Sequence, residues 1–372
     1  MIAKTFQLAD AKTLTQLLQY NISARPSNAI KYPPMNLTRR DFLKLSGAGM
    51  LALAASQLRL DEALALEAPT SFQGRTTISG VPLYESASFK SKQIKLIGKD
   101  QVVGIQSQLT SEGTYNRIWY HLAEGYVHSA EIQPVHTELQ PVVTKLERKQ
   151  ALGEITVPFS DTRRAYNIHA DRAYRVYYGT THWVTDIKTN PTDGSVWYRI
   201  VDNHLHQYFY LAAEHVRFVP DEELAALSTD VPDALKTVYV DLKSQYVMAF
   251  EDERLVLRTR CASGVGRSKT PTGKFETYHK GPSIHMTNEG DPKKDLYDLP
   301  GVPWCSFFTG TGIAFHGTYW HNDFGDPRSH GCVNLTNSAA KFLYRWTRPT
   351  VPPEANYIQL PKMGTTVHVS QT

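Results

Sequence analysis

Cys332 and the two histidines that precede it are the residues most able to do covalent chemistry. Residues 316–318 read His-Gly-Thr, and residues 329–334 read Ser-His-Gly-Cys-Val-Asn. A thiol becomes a strong nucleophile when its proton is removed, and a nearby imidazole can remove it. The glycine before the sulfur lets backbone N–H groups approach a developing oxyanion. The spacing therefore predicts a cysteine nucleophile, which should be alkylated rapidly below pH 7 if an imidazole activates it.

Structural explanations for the same residues remain open. An isolated cysteine is usually a small buried hydrophobic residue. His316, His321, His330 and Cys332 also offer side chains that zinc binds, although their spacing matches no common structural zinc pattern. His321 by itself is predicted to lie at a polar rim. We predict no metal ion and no organic cofactor.

These runs resemble the signature of the L,D-transpeptidase (YkuD-type) family, whose members cross-link bacterial peptidoglycan through a cysteine acyl-enzyme. Residues 270–275 (Thr-Pro-Thr-Gly-Lys-Phe) resemble a loop segment of the same family, and the resemblance covers about residues 235–370. It implies that Cys332 is the nucleophile and His316 the general base, with a pKa near the ordinary value of about 6.5. It also implies supporting roles for Gly317 (backbone carbonyl orienting His316), Ser329 and His330 (loop hydrogen bonds) and Gly331 (oxyanion hole, together with the Cys332 N–H).

Five further residues are predicted to contact substrate: Asn334, Arg328, Thr318, Tyr319 and Trp304. Asn334 stands where many family members carry an Arg, and Arg328 is near enough in sequence to replace that Arg on a substrate carboxylate. The gap from His316 to Ser329 is short, which puts a lid over the acceptor site in doubt. Tyr319 and Trp304 either line the donor cleft or belong to the core.

The composition bounds the protein's class. The 372 residues suffice for two or three domains, and a formal charge of +4 without a dense Lys/Arg stripe argues against nucleic-acid binding. Three cysteines cannot form a disulfide framework and leave at least one free thiol. Cys261 and Cys305 are predicted to be packed thiols, with a bridge between them as the alternative hypothesis.

The N-terminal part resembles an export signal. Residues 38–44 read Thr-Arg-Arg-Asp-Phe-Leu-Lys, which is typical of a twin-arginine signal, and an apolar stretch and small residues follow. The stretch is too short and interrupted for a stable membrane span. We predict that residues 1–65 are an N-terminal extension and signal peptide, with Met35 as the true start. The mature protein would then work outside the cytoplasm, in the cell wall or periplasm.

Between residues 70 and 219, short β-like runs alternate with turn residues, and a weak repeat is visible. Trp119-Tyr120 and the run 125–135 match Trp197-Tyr198 and the run 210–219. Each copy resembles the closing strands of a bacterial Src-homology-3-like module. The predicted fold is mainly β, with two small Src-homology-3-like β-barrels (70–136 and 150–220) and a YkuD-type β-rich catalytic domain of mixed sheets and a short helix (235–370). Residues 137–150 form either a linker or a short surface helix.

The predicted catalytic domain shows clear local patterns. Alternation predicts strands over 237–242, 245–250 and 254–261 in an antiparallel meander, and residues 364–369 close the sheet. A glycine-rich stretch leads into a strand that ends at His316. Apolar spacing predicts a helix over 337–346, and acids in a first turn predict a brief helix over 221–227.

These predictions lead to the hypothesis of an exported peptidoglycan L,D-transpeptidase that releases D-alanine from tetrapeptide stems and forms 3→3 cross-links. Its partners would be peptidoglycan stem peptides, with cell-wall contact through the β-modules. We expect a monomer, no nucleic-acid partner and no membrane span after signal cleavage. The alternatives are an L,D-carboxypeptidase, a transpeptidase that anchors wall proteins, and a non-enzymatic wall-binding adaptor. The order His before Cys disfavours papain-like enzymes, and the absence of an Arg after the nucleophile disfavours a sortase.

Overall fold

A computed structural model describes residues 72–111, 116–288 and 297–371, and these residues form a mainly β fold as predicted. The twin-arginine motif and Met35 lie outside the described residues. Within the described ranges, no helix has the length and apolar character needed to cross a membrane.

The strands fall into three regions of the chain. The first region holds β1 (Phe72–Thr76), β2 (Val81–Tyr84), β3 (Gln93–Ile97), β4 (Val102–Ile105), β5 (Ser107–Thr110), β6 (Ile118–Leu122), β7 (Gly125–His128) and β8 (Ile132–Val135). The second region holds β9 (Ala151–Ile155), β10 (Phe159–Arg163), β11 (Arg172–Tyr177), β12 (Thr181–Thr189), β13 (Val196–Asp202), β14 (Gln207–Ala212) and β15 (Val216–Phe218).

The third region holds β16 (Lys236–Asp241), β17 (Tyr246–Glu251), β18 (Arg254–Arg260), β19 (Gly273–Glu276), β20 (His279–Thr287), β21 (Asp298–Phe307), β22 (Ala314–Gly317), β23 (Val333–Leu335), β24 (Ile358–Gln359) and β25 (Thr366–Ser370). It also holds the α-helix α1 (Asn337–Trp346). Short 3₁₀ helices cover Ser129–Glu131, Ala213–His215, Asp221–Glu223, Asp233–Leu235 and Gly266–Ser268.

The first and second regions share one order of elements, as the repeat predicts. The hairpin β6–β7 is followed by a 3₁₀ turn and β8, and the hairpin β13–β14 is followed by a 3₁₀ turn and β15. In each region the closing strand pairs antiparallel with the opening strand. The paired aromatic residues of the repeat are all buried: Trp119, Tyr120, Trp197 and Tyr198. The Src-homology-3-like assignment and the domain limits remain predictions.

Sheet order differs between these two regions. The first region forms two sheets, with strand orders β4-β1-β8 and β3-β2-β7-β6-β5. The second forms one seven-stranded sheet with the order β11-β10-β14-β13-β12-β9-β15. Each region has its own apolar core, which contains the tyrosine of its aromatic pair, Tyr120 or Tyr198.

Two connecting segments differ in part from the expectations. Residues 137–150 form no helix, so the surface-helix alternative is wrong and the linker alternative holds. The Val143 N–H donates to the Tyr198 hydroxyl at 2.8 Å, which fastens this linker to the second region. The brief helix predicted over 221–227 is limited to one 3₁₀ turn, Asp221–Glu223.

The third region contains two five-stranded sheets. One has the order β18-β17-β16-β25-β19, in which β16, β17 and β18 form the predicted antiparallel meander. Strand β25 closes this sheet by pairing parallel with β16 and antiparallel with β19. The other sheet has the order β23-β22-β21-β20-β24.

Helix α1 forms where the sequence predicts it and supports the second of these sheets. The Thr336 hydroxyl accepts from the Ala339 N–H at the helix N-terminus, a favoured capping arrangement. At the other end, the buried Lys280 Nζ donates to the carbonyls of Tyr344 and Thr347 at 2.5 and 2.7 Å. The helix packs against β21, β22 and β23, and this packing fixes the two strands that carry the predicted catalytic residues.

Candidate active site

Strands β22 and β23 place the two predicted catalytic side chains on one face of a sheet. The strands are parallel, with Phe315 paired to Val333 and His316 paired to Asn334. Phe315 and Val333 lie in the apolar core. Because side chains alternate along strands, His316 and Asn334 project from the opposite face, and so does Cys332 just before β23. His316 and Cys332 therefore lie diagonally on neighbouring strands.

The His316 ring is oriented by the residue that follows it. Its Nδ1 lies 2.9 Å from the carbonyl oxygen of Gly317. A carbonyl can only accept, so Nδ1 carries the proton and Nε2 is the basic nitrogen. Burial lowers the pKa of His316 to about 4, although the hydrogen bond to Gly317 acts in the opposite direction. The expectation of a pKa near the ordinary value is therefore wrong, and the ring is neutral at neutral pH.

The Cys332 thiol keeps its proton in the free protein. Burial raises the pKa of Cys332 to about 11, and a hydrogen bond to the backbone of Ala314 opposes this rise. The thiol points to the Gly312 carbonyl oxygen at 3.8 Å. The resting pair at neutral pH is thus a thiol and a neutral imidazole. Rapid alkylation of Cys332 below pH 7 stays a prediction.

Ser329 closes the turn that carries the cysteine. Its hydroxyl donates to the Cys332 carbonyl and accepts from the Gly331 N–H at 3.0 Å. The Gly331 N–H is therefore already bonded to Ser329. This bond argues against the prediction that Gly331 contributes its N–H to an oxyanion hole. The glycine is still needed here, since its φ of 123° is strained for any other residue.

Thr270 supports the same turn, and the sequence reasoning missed this role. Its hydroxyl donates to the Gly331 carbonyl at 2.7 Å and accepts from the Gly264 N–H at 2.9 Å. A Cβ on Gly264 would lie 2.1 Å from the Ser268 carbonyl oxygen and 2.8 Å from the Gly331 Cα. The sequence signal for this role is the Thr-Pro motif at residues 270–275, which the sequence analysis interprets only as a loop segment of the family.

His321 is buried, so its predicted position at a polar rim is wrong. Its Nδ1 accepts from the Asp323 N–H at 3.0 Å, and its Nε2 lies 2.8 Å from Nδ2 of Asn334. Burial lowers the pKa of His321 well below its ordinary value. Asn334 is itself 1% exposed, and its Oδ1 finds no hydrogen-bond partner in the part of the chain that the structure describes.

Arg328 is held in ion pairs. Its guanidinium contacts the carboxylate of Glu131 in the first region and that of Asp323 at 3.1 Å. These ion pairs use two of the five N–H donors of the guanidinium, and the side chain remains 30% exposed. The replacement of the missing Arg at position 334 by Arg328 stays a prediction.

The loop 319–328, here called the site loop, is anchored to the first region at further points. Asn116 Nδ2 donates to Asp323 Oδ1 at 2.9 Å, and the Asn322 N–H donates to the Ala130 carbonyl at 2.8 Å. Asn322 Nδ2 also donates to the Tyr120 hydroxyl at 3.0 Å. The short segment between His316 and Ser329, for which the sequence left the presence of a lid open, is thus a loop held by several hydrogen bonds to the first region.

Two of the aromatic residues predicted to contact substrate are buried. Trp304 is 1% exposed and packs against Tyr344 and Lys341, so it belongs to the core rather than to a substrate surface. Tyr319 is 3% exposed, and its hydroxyl donates to the Pro300 carbonyl at 3.1 Å. Tyr319 also lines a partly open cavity of about 200 Å³, to which residues of all three regions contribute.

The remaining predicted residues lie near the catalytic pair. The Thr318 hydroxyl is buried and has no hydrogen-bond partner among the described residues. His330 is exposed, with its ring 5.4 Å from that of Tyr297. The ring centroid of Trp320 lies 5.6 Å from that of His316, so Trp320 forms part of the surroundings of that histidine.

The structure bears on two further expectations, the pairing of the cysteines and the zinc alternative. Cys261 and Cys305 are buried free thiols, so the hypothesis of a bridge between them is wrong and their predicted packing is confirmed. Among residues 72–111, 116–288 and 297–371, no group of three or more His, Cys, Asp or Glu side chains is placed to hold a metal ion.

Comparison with known proteins assigns the class of the third region. Residues 235–369 match the YkuD family model, described as the L,D-transpeptidase catalytic domain, which is the family that the sequence resemblance indicates. This match covers the strands and the helix that carry His316 and Cys332. A comparison with curated proteins gives no match.

Similar solved structures are L,D-transpeptidases. The catalytic domain of the Enterococcus faecium L,D-transpeptidase, solved by NMR, is 26% identical, with 36% of this chain and 96% of that chain covered and a TM-score of 0.29. The L,D-transpeptidase from Mycobacterium smegmatis is 15% identical, with 71% and 95% covered and a TM-score of 0.31. For the Ldtfm–avibactam carbamoyl enzyme the identity is 24%, 37% of this chain is covered and the TM-score is 0.30; the chain spans about half of that protein's length (49%).

Proposed function

We propose that this protein is a peptidoglycan L,D-transpeptidase that forms 3→3 cross-links through an acyl-enzyme on Cys332. The observation that carries the proposal is the orientation of His316. The Gly317 carbonyl holds the proton on Nδ1, which leaves Nε2 basic on the sheet face that also bears Cys332. A base in this tautomer can accept a thiol proton directly.

In the first half-reaction, Cys332 Sγ attacks the carbonyl carbon on the L-centre of the third stem residue. The thiol proton passes to His316 Nε2 as the C–S bond forms, and the negative charge moves to the carbonyl oxygen. The C–N bond to the terminal D-alanine then breaks. His316 returns its proton to the leaving amine, and a thioester remains on Cys332.

In the second half-reaction, the side-chain amine of a diamino acid on a neighbouring stem attacks the thioester carbon. His316 Nε2 takes the amine proton and gives it to the departing sulfur, so the thiol is regenerated. The new amide bond joins two third-position residues, which is a 3→3 cross-link. If water attacks instead of the amine, the product is a tripeptide and the reaction is that of an L,D-carboxypeptidase.

The neutral resting pair fits general-base catalysis better than a preformed ion pair. At neutral pH the imidazole is unprotonated and the thiol is intact, because burial lowers one pKa and raises the other. The proton therefore moves during the attack rather than before it. The Cys332 N–H is the remaining candidate of the predicted oxyanion hole, since Ser329 occupies the Gly331 N–H.

The cellular setting follows from the substrate. Peptidoglycan lies outside the cytoplasm, so the enzyme acts there, and the twin-arginine motif at residues 38–44 supplies a route of export. The first and second regions are proposed as the Src-homology-3-like modules predicted from the repeat, in contact with the cell wall. We expect a monomer that needs no metal or organic cofactor.

The experiment is to incubate the purified full chain with a disaccharide-tetrapeptide and follow both products and intact mass. A transpeptidase gives a dimer with 3→3 linkage and free D-alanine, a carboxypeptidase gives a tripeptide, and both give an acyl adduct on Cys332. The variant Cys332→Ala must abolish all of these, while Cys261→Ala tests for a nonspecific effect of removing a thiol. A wild-type protein that yields no adduct and no product would leave the wall-binding adaptor as the better description.

A further inference from the structure

A partly open cavity of about 200 Å³, here called the junction cavity, lies where the three regions meet. The first region contributes Arg75 and Lys99 to its lining, and the second contributes Arg175 and Tyr177 from β11. The third contributes the start of β21 and Trp320 of the site loop. Each of the three regions supplies part of the lining, so a ligand in this cavity would contact all of them.

The walls of the junction cavity are held by contacts between the regions. Arg75 is 1% exposed, and its Nη2 donates to the Tyr319 carbonyl at 2.6 Å. Its guanidinium carbon lies 4.0 Å from the centre of the Tyr177 ring, which stacks on the Tyr319 ring. Arg175 Nη1 donates to Asp100 of the first region at 3.1 Å. A cavity whose walls are already ordered loses little conformational entropy when a ligand binds.

The charged side chains of the lining favour an anion. Among the described residues that line the cavity, three side chains are cationic and one, that of Asp298, is a carboxylate. The two arginines are already paired with carboxylates outside the lining, and Asp298 contacts the ring of His285. Lys99 is exposed and forms no ion pair or hydrogen bond with any described residue. An anion that enters the cavity therefore finds an unpaired cation.

Two further residues of the lining carry unused hydrogen-bond donors. The Tyr177 hydroxyl and the Trp320 Nε1–H have no hydrogen-bond partner among the described residues. Both side chains are only partly buried, and neither atom is among the buried polar atoms of the described residues. An ionised carboxylate only accepts hydrogen bonds and has two oxygens to do so. It therefore matches the donors of this lining.

The size and the position of the junction cavity indicate that it receives one part of a longer ligand. Its volume is below the range of about 300–1,000 Å³ that is usual for the site of a whole small-molecule ligand. Trp320 lines the cavity, and its ring centroid lies 5.6 Å from that of His316. Three residues of an extended peptide span about 10 Å. A stem peptide bound at His316 and Cys332 is thus long enough to place an acidic group in the cavity.

We propose that the junction cavity binds a free carboxylate of a peptidoglycan stem peptide, with Lys99 as the cation that pairs with it. The inference rests on the proposed function and makes it more specific, because it gives the first two regions a part in substrate binding. The carboxylate belongs either to the donor stem, which acylates Cys332, or to the acceptor stem, which resolves the thioester. The two sources share one chemistry and act in different half-reactions.

The variant Lys99→Gln tests the cation, because it removes the charge and keeps a long polar side chain at an exposed position. The concentration of stem peptide that gives half of the maximal rate should rise about tenfold in the half-reaction whose stem the cavity binds. This is the loss expected for one hydrogen bond between charged groups. The matched control is Lys90→Gln, which makes the same change at an exposed lysine of the first region outside the lining. If the two variants behave alike in both half-reactions, the inference is wrong.

The half-reaction that Lys99→Gln slows identifies the stem. Slower acylation with an unchanged proportion of dimer assigns the carboxylate to the donor stem. Unchanged acylation with less dimer and more tripeptide assigns it to the acceptor stem. Tetrapeptides amidated at one free carboxylate at a time identify the group, because the penalty disappears with the peptide that lacks the bound carboxylate. A penalty that persists with every amidated peptide contradicts a carboxylate ligand.

Binding can be measured without turnover in the full-length Cys332→Ala variant. In ¹H–¹⁵N spectra, the indole N–H signal of Trp320, assigned with Trp320→Phe, should shift on titration with tetrapeptide. The midpoint of the titration should rise about tenfold when Lys99→Gln is added to Cys332→Ala and should stay the same when Lys90→Gln is added. Equal midpoints for the two double variants overturn the inference.

The inference and the proposed function fail in different ways. If wild-type protein forms no adduct with tetrapeptide, the proposed function fails, and the titration still decides whether Lys99 contributes to binding of the peptide. If wild type forms the adduct but Lys99→Gln matches Lys90→Gln in rates and midpoint, only the inference fails.

Discussion

The first and second regions share an order of strands, yet they meet the third region in different ways. The 3₁₀ turn of the repeat shows the difference at a single position. In the first region its last residue is Glu131, whose carboxylate reaches Arg328 in the site loop. In the second region the last residue is His215, whose Nδ1 lies 2.9 Å from the Ser160 hydroxyl of the same region.

The other contacts of the first region follow Glu131. Asn116, Tyr120 and Ala130 each bond to the site loop, and Arg75 donates to the Tyr319 carbonyl at 2.6 Å. All of these contacts fall between His316 and Cys332 in the chain. The first region therefore holds the segment that connects His316 to Cys332.

The second region contacts the site loop through one ring pair, Tyr177 stacked on Tyr319 with 5.3 Å between the ring centroids, and directs its hydrogen bonds to the sheet and the helix. Asp202 bonds to His285 Nδ1 at 2.8 Å, and the Thr181 hydroxyl donates to the Pro282 carbonyl at 2.7 Å, both on β20. Asn337 Nδ2, at the start of α1, donates to the Gly179 carbonyl at 3.0 Å. The hydrogen bonds of the first region thus go to the site loop, whereas those of the second region go to β20 and α1.

The largest expected effect on acylation comes from removing the imidazole of His316. His316→Gln should lower the rate of Cys332 acylation by about 100- to 10,000-fold, as for general bases elsewhere. Wild-type acylation should be independent of pH between the His316 pKa of about 4 and the Cys332 pKa of about 11. The variant should instead acylate faster as pH rises, since it needs a preformed thiolate. Mass spectrometry with a carbapenem measures both, and a wild-type maximum near pH 6 would contradict the neutral pair.

Removing a contact of the first region should slow the chemistry. Glu131→Ala leaves Arg328 with Asp323 alone, so the site loop loses an anchor and acylation by tetrapeptide should fall about tenfold, equivalent to 1.4 kcal/mol in the barrier. The matched control is Glu214→Ala, in the equivalent turn of the second region, where the carboxylate is exposed. Equal acylation rates for both variants would remove the distinction between the regions.

Removing a contact of the second region should affect stability and leave acylation within about twofold of wild type. Asp202→Asn weakens the bonds to His285 and to the Tyr174 hydroxyl but keeps an oxygen for the turn at His204 and Leu205. The free energy of unfolding should fall by about 1–3 kcal/mol. Denaturant unfolding checks this against Asp193→Asn, an exposed turn residue. A loss of acylation without a loss of stability would reverse the roles of the two regions.

The smallest expected effect is a pH dependence at the same contact. Burial would lower the pKa of His285, but the hydrogen bonds and charges of Asp202 and Asp298 outweigh it and raise the pKa. The stabilisation is therefore complete below the unfolded value of about 6.5 and is lost as pH rises through the higher folded value. The difference in unfolding free energy between wild type and His285→Gln should shrink as pH rises above the unfolded value of about 6.5. A difference that grows with pH would contradict this assignment.

Local patterns in the sequence were enough to predict the scaffold of the site. The alternation over β16–β18 and the apolar spacing of α1 each depend on neighbours within one element, so both elements formed as expected. The motif at residues 329–334 also predicted the hydrogen bonds of Ser329, because they close within the turn itself.

Residues whose surroundings come from distant parts of the chain were the ones missed. Arg328 contacts Glu131 across 197 positions, and nothing in the sequence near either residue indicates that pair. The burial of a side chain also depends on distant residues and is not evident from its sequence neighbours. For this reason the sequence predicts His321 at a polar rim and an ordinary pKa for His316, whereas both rings are buried and both pKa values are lowered. For Trp304 the sequence allows both a core position and a position in the substrate cleft, because aromatic residues are common in both.

The position of β25 has a consequence for how the protein is made. Residues 366–370 lie inside their sheet, between a strand from residues 236–241 and one from residues 273–276. A nascent chain that stops before residue 366 leaves β16 and β19 without the strand that joins them. The catalytic fold therefore cannot close during translation until this segment has left the ribosome, and its folding waits for a long-range pairing that is intrinsically slow.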